Sequence, residues 1–181
     1  MTATLSERVD RFDARADAQI DRLRGNDFFD RLFYTASFLG DHGLIWIALS
    51  FVRYFTGVGG DDAAHFAGIR ALCAELGQSI FVNLGIKSLF RRERPVSQAA
   101  RPYKLRIPRT TSFPSGHATA SFCGAVLLSQ GTPWAPALFL IAAIVSFSRA
   151  YVRIHHASDV VGGVVVGLVI GVAIAYFVPL P

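Results

Sequence analysis

Three short groups of residues in this chain have the types needed to hold an anion and to move protons. Lys87 and Arg94 form the first, Pro114-Ser115-Gly116-His117 the second, and Ser148, Arg149, His155 and Asp159 the third. Cations attract an anion, imidazoles titrate near neutral pH, and a carboxylate four residues after a histidine can fix its ring if that stretch is helical. Each group sits at the end of an apolar stretch. Ionisable residues at membrane depth are costly, so their placement there is informative.

The elements that must position these groups read as membrane helices. Of the 181 residues, 52% are hydrophobic and the mean hydropathy is +0.40, above the range of a soluble globular chain. A net charge of +5 could suit a nucleic-acid binder. Such proteins rarely carry so many apolar stretches of membrane length, so no nucleic-acid partner is expected. The expected class is all-α: an integral membrane helical bundle of about five transmembrane helices, over residues 43–58, 66–90, 118–130, 134–152 and 160–178. If these spans alternate in direction, all three groups emerge on one membrane face. Arg53, near the end of the short first span, is expected to snorkel to the headgroups. Glu75, Ser79, Asn83 and Lys87 fall at i, i+4 spacing and predict a polar stripe facing the bundle interior. Gly163, Gly167 and Gly171 predict a face of close helix approach.

Residues 1–27 read as an amphipathic N-terminal helix. Leu5, Val9, Phe12, Ala16, Ile20 and Leu23 share one face, and Thr4 with Glu7 forms a capping box. Such a helix lies in the membrane interface or packs on a partner, and the interfacial reading is preferred. With six arginines and seven acids in the first 31 residues, no signal peptide is expected. Residues 28–181 are expected to form the membrane-embedded domain, with 28–39 a lead-in broken by Gly40-Asp41-His42-Gly43. In the loop 91–114, Pro95, Pro102, Pro108 and Pro114 exclude a long helix. Cys73 and Cys123 match no metal or redox spacing and are read as structural.

Lys87-x6-Arg94-Pro95, then Pro114-Ser115-Gly116-His117, then Ser148-Arg149-x5-His155-x3-Asp159 resembles the three-part signature of the type 2 phosphatidic acid phosphatase family. Singly each piece has a plainer reading: a topology signal, an ordinary helix start, a helix cap. Three ordered motifs together outweigh these. The signature is shared with glucose-6-phosphatase and the vanadium haloperoxidases, so it marks a phosphate-shaped site more surely than one substrate.

The resemblance implies a membrane phosphatase with catalytic His155, His117 and Asp159. His155 would attack phosphorus, Asp159 would fix its ring, and His117 would protonate the leaving oxygen and then activate water. Lys87, Arg94 and Arg149 would supply positive charge to the phosphate oxygens, with Ser115 and Gly116 offering donors at a helix start. The scheme needs no metal or other cofactor. The expected partners are membrane lipids and a lipid phosphate substrate: a polyprenyl diphosphate, phosphatidate, phosphatidylglycerol phosphate or a prenyl-linked sugar phosphate. A lipid phosphotransferase and a non-catalytic lipid-phosphate binder or transport element are the alternatives, and homo-oligomerisation is left open. Arg91, Arg92, Arg101, Arg106, Arg109 and Lys104 are read as surface or headgroup contacts, and His42 and His65 as structural. Sixteen arginines against two lysines hint at a bacterial source. Lys and Arg concentrate on the motif-bearing side, which by the positive-inside rule places a multi-pass protein of the cell membrane with its site facing the cytoplasm.

Overall fold

The structure, a computed structural model, describes residues 3–95 and 110–181, apart from the side chain of His42. Arg101, Lys104, Arg106 and Arg109 lie outside the described residues. The described residues are helical, with no strand. α1 (Leu5–Asp21) opens on the expected capping box, in which the Glu7 N–H donates to Thr4 Oγ1 and the Thr4 N–H to Glu7 Oε2. α2 (Asp27–Leu39), capped by Asn26, leads through a 3-10 turn (Asp41–Gly43) into α3 (Leu44–Thr56). α4 (Asp61–Ile80) continues as a π turn (Phe81–Ile86) and the short α5 (Lys87–Leu89). α6 (Gly116–Ser129), α7 (Ala135–Tyr151) and α8 (Ala157–Phe177) complete the bundle.

α6 is the central helix, packed on α3, α4, α7 and α8. Its residues are small, which lets four neighbours come close. A Cβ on Gly163 would lie 2.5 Å from the Ser115 carbonyl oxygen, and one on Gly171 would lie 3.2 Å from that of Cys123. The α8 glycines therefore sit against the α6 backbone, as their spacing predicts. On the opposite flank Trp46 is buried and donates its indole N–H to Ser121 Oγ at 3.1 Å.

By length and composition α8 is the one helix among the described residues that can cross a bilayer unaided. α2 and α3 qualify only as a pair bent by 69°, and α7 is apolar but shorter. At 14 residues α6 is about 21 Å long, less than the roughly 30 Å hydrocarbon core.

The polar stripe expected on the second span does not form one buried line. Glu75 and Lys87 are buried, but Ser79 and Asn83 are exposed and bond to each other, the Asn83 amide donating to the Ser79 carbonyl at 2.9 Å. The wider π winding delays the helix by about one residue, so the buried positions step through Glu75, Gln78, Val82 and Lys87. Arg53 does not snorkel either. It is fully buried, at 0% exposure, with Nη2 donating to the Gln130 carbonyl at 3.3 Å and its guanidinium against Gly59. Gly59 makes room for it, having no side chain and a φ of +89°.

α1 docks on this chain's own α7–α8 turn. Leu5 and Phe12 on its apolar face stay exposed, while Ile20 joins a core with Phe33, Tyr34, Tyr151, Val152 and Ile154. The tie is mainly polar. Arg24, just beyond α1, donates to the carbonyls of Tyr151 at 2.9 Å and Ala150 at 3.1 Å, adding a side-chain partner at the end of α7.

Candidate active site

The end of α5, the start of α6 and the α7–α8 turn meet at one rim, as alternating spans require. Lys87 is carried there by the π turn, and its Nζ donates to Thr110 Oγ1 at 3.2 Å. Arg94 is held in an extended stretch by the Thr110 and Thr111 carbonyls, each at 3.0 Å, and by the Ile154 carbonyl at 3.1 Å. Its Nη1 lies 3.0 Å from His155 Nε2. Arg149, 1% exposed at the end of α7, donates to the Ser37 hydroxyl and carbonyl and lies 3.7 Å from Asp41 Oδ1.

His155 is positioned by the way α7 stops. The Arg153 N–H bonds the Ala150 carbonyl and the Ile154 N–H bonds the Arg149 carbonyl, both at 3.1 Å, closing a Schellman cap with Arg153 left-handed at φ +55°. Glycine usually fills that position, because a Cβ there is strained. Here the side chain offsets the strain by reaching Asp21 of α1 at 2.6 Å. Sequence, helix end and N-terminal helix together thus aim the next two residues into the bundle.

Asp159 is fully buried and caps α8, accepting from the His156 N–H at 2.8 Å. It also accepts from the Ser112 hydroxyl at 2.5 Å and from Arg92 Nη1 at 2.7 Å. Its distance to His155 Nδ1 is 3.8 Å, an ion-pair separation longer than a hydrogen bond. The helical i, i+4 reach imagined from sequence does not arise, because α8 begins at Ala157 and His155 precedes it. Asp159 still faces Nδ1 while Arg94 faces Nε2. With the ring neutral, that pairing puts the proton on Nδ1 and a lone pair on Nε2.

Burial pushes the His155 pKa down to about 3, with Arg94 and Arg149 adding repulsion against the Asp159 attraction. The imidazole is therefore neutral at physiological pH. Histidine 15N NMR in detergent should show the Nδ1–H tautomer of His155 at pH 6. In the free protein no acid limb of kcat/KM should come from this residue above about pH 4. A doubly protonated ring at pH 6 would contradict this environment.

Ser115 is the N-cap of α6, buried, with its hydroxyl accepting from the Ala118 N–H at 3.4 Å, and Gly116 follows it with a Cβ position 3.8 Å from Lys87 Nζ. His117, on the first turn of α6, has Nε2 2.9 Å from Asp41 Oδ1. Among the described residues no group of three His, Cys, Asp or Glu side chains could hold a metal ion.

Arg92, which reads from sequence as a surface or headgroup contact, is instead bound into the site. Its Nη1 holds Asp159 and Ser158, while Nη2 holds Asp13 of α1 at 2.6 Å. Asp13 also accepts from the Ser158 N–H at 2.8 Å and hydroxyl at 2.7 Å. Nothing in the crowded run Arg91-Arg92-Glu93-Arg94 separates Arg92 from its neighbours by type, and Asp13 looks like one more polar residue of an amphipathic helix. His65 packs on Tyr54 with the rings tilted by 40° and 4.6 Å between centroids, and Cys73 and Cys123 are free.

Comparison with known proteins shows the family and the fold. Residues 68–180 match the PAP2 superfamily model. The chain is 34% identical over 127 residues to decaprenylphosphoryl-5-phosphoribose phosphatase of Mycolicibacterium smegmatis, covering 70% of this chain and 67% of that protein. It is 31% identical over 96 residues to the putative undecaprenyl-diphosphatase YbjG of Escherichia coli, 52% of this chain and 48% of that one. Among solved structures it resembles the transmembrane PAP2-type phosphatidylglycerolphosphate phosphatase of Bacillus subtilis, with a TM-score of 0.66 at 24% identity over 91% of this chain and 85% of that one. LpxE of Aquifex aeolicus gives a TM-score of 0.67, also at 24% identity, over 88% and 92%. The fold is shared with transmembrane PAP2-type phosphatases, and the chain belongs to the PAP2 superfamily. Its named relatives are phosphatases, which places it among phosphoric ester hydrolases.

Proposed function

We propose that this protein removes phosphate from a polyprenyl-linked phosphate in the membrane through a phosphohistidine on His155. The contact of Arg94 Nη1 with His155 Nε2, at 3.0 Å, carries the reading: a phosphate-clamping cation touches the nitrogen that would attack. Arg94, Lys87 and Arg149 hold the equatorial oxygens as Nε2 attacks phosphorus. The bond to the lipid oxygen breaks, its electron pair stays on that oxygen, and His117 supplies the proton. His117 then takes a proton from water as the water oxygen attacks phosphorus, and the electron pair of the P–N bond returns to Nε2. Asp159 offsets the positive charge on the ring.

The names of two relatives, a decaprenylphosphoryl-5-phosphoribose phosphatase and a putative undecaprenyl-diphosphatase, support the polyprenyl class. Residues 28–181 form the membrane-embedded domain, with α1 as its buttress. The Lys and Arg bias supports a site on the cytoplasmic face of a bacterial plasma membrane. Phosphate release from a panel of lipid phosphates in detergent tests the proposal. Turnover should be highest on a polyprenyl phosphate or diphosphate and unchanged by chelator. Transfer to another lipid without free phosphate would favour the phosphotransferase, and loss on chelation would sink the mechanism.

A further inference from the structure

The 3-10 turn between α2 and α3 contributes a residue that none of the three motifs contains. Asp41 Oδ1 lies 2.9 Å from His117 Nε2 and 3.7 Å from Arg149 Nη1. The turn is brought in by Gly40. A Cβ there would lie 3.1 Å from His117 Cδ2 and 2.8 Å from Val145 Cγ1, so the backbone passes against the imidazole with no space for a side chain. Gly43 closes the turn at φ +70°, a conformation that glycine adopts freely. Two glycines thus fix a carboxylate against the edge of His117 remote from Nδ1.

We propose that Asp41 is the positioning residue of His117, holding a proton on Nε2 so that Nδ1 alone exchanges protons with the leaving oxygen and the attacking water. The proposal rests on the phosphatase reading above and extends it. When His117 is an imidazolium, Nδ1–H goes to the lipid oxygen as the P–O bond breaks. The neutral ring keeps Nε2–H on Asp41 and turns its Nδ1 lone pair towards water. In both steps Asp41 gives up no proton; it orients the ring and stabilises the positive form. Among the described residues the charged groups facing His117 are Asp41 from the turn, Arg149 from α7 and Lys87 from α5. Burial and the two cations press the ring towards its neutral form, and Asp41 is the one anion among these groups, opposing them. The site then has two carboxylate–imidazole pairs, Asp159 behind the nucleophile and Asp41 behind the acid.

The test compares Asp41→Asn with wild type on two substrates. On an alkyl lipid phosphate, whose leaving oxygen needs a proton, kcat should fall about 100-fold with KM little changed. On p-nitrophenyl phosphate the leaving group departs unprotonated, so the first-turnover burst of nitrophenolate should keep close to its wild-type rate while steady turnover slows. Inhibition by orthovanadate should persist, since the cations remain. Adding Asp41→Asn to His117→Ala should cost nothing further, which also covers a single variant that folds poorly. A burst slowed as much as steady turnover, or losses that multiply in the double variant, would overturn the proposal. If the parent reading itself is wrong, the failure appears in the wild type, which would give no burst at all, and this proposal falls with it.

Discussion

His155→Ala protein should release lipid phosphate at least about 10⁴-fold more slowly than wild type and form no covalent phosphoenzyme, while still binding orthovanadate. The size of the loss follows from the geometry. Nε2 is the ring nitrogen that faces a clamping guanidinium, and the ring is 2% exposed, so water cannot easily take its place. The cations are held independently of the ring: Arg94 by three carbonyls and Arg149 by Ser37. On the proposed mechanism, removing the imidazole leaves the cations in place and takes away the attacking nitrogen. Rate should be lost and anion binding kept. Measuring turnover beside vanadate affinity separates this from a folding defect, in which both would be lost.

Arg92→Met should be the most damaging change outside the three motifs. Asp159 is fully buried, and Arg92 is the cation that faces its Oδ1 at 2.7 Å. Removing one partner of a buried pair leaves the other charge uncompensated, at about 3 kcal/mol here, the low end of the range because Arg92 is 24% exposed. The same fork releases Asp13, and with it the hold of α1 on Ser158. The expected result is a lower thermal midpoint in detergent and a fall in kcat of about 100-fold, because His155 loses the fixed carboxylate behind it. Arg92→Lys should recover little of either, since one ammonium cannot span Asp159 and Asp13 as two arms of a guanidinium do. Wild-type stability and turnover in both variants would return Arg92 to the surface role its sequence position suggests.

Much of the scaffold was legible because its signals are local. The apolar runs place α3, α6, α7 and α8 to within a few residues, the Thr4–Glu7 box opens α1, and the α8 glycines meet α6. Convergence of the three motif groups at one rim also followed from span order alone. What was not legible depends on departures from regular geometry or on contacts far apart in sequence. The buried line of α4 runs through Glu75 and Gln78 and leaves Ser79 outside it, and the π turn then carries the line from Val82 to Lys87, a five-residue step that i, i+4 counting cannot foresee. Arg53 reads from sequence as able to snorkel to headgroups, because nothing in its own span announces the space left by Gly59. Asp13 and Asp41 belong to segments without motifs, and their roles appear only when α1 and the 3-10 turn fold back over α7 and α6. The left-handed Arg153 is a similar case, a strained position held by a helix more than 130 residues earlier.

The central claim is covalent, and chemical trapping tests it most directly. Wild-type protein mixed with 32P-labelled lipid phosphate and quenched in alkali, where phosphohistidine survives, should carry label on one peptide, with the phosphate mapped by mass spectrometry to His155. Label on a different residue, or efficient turnover with no labelled histidine at any quench time, would contradict the account.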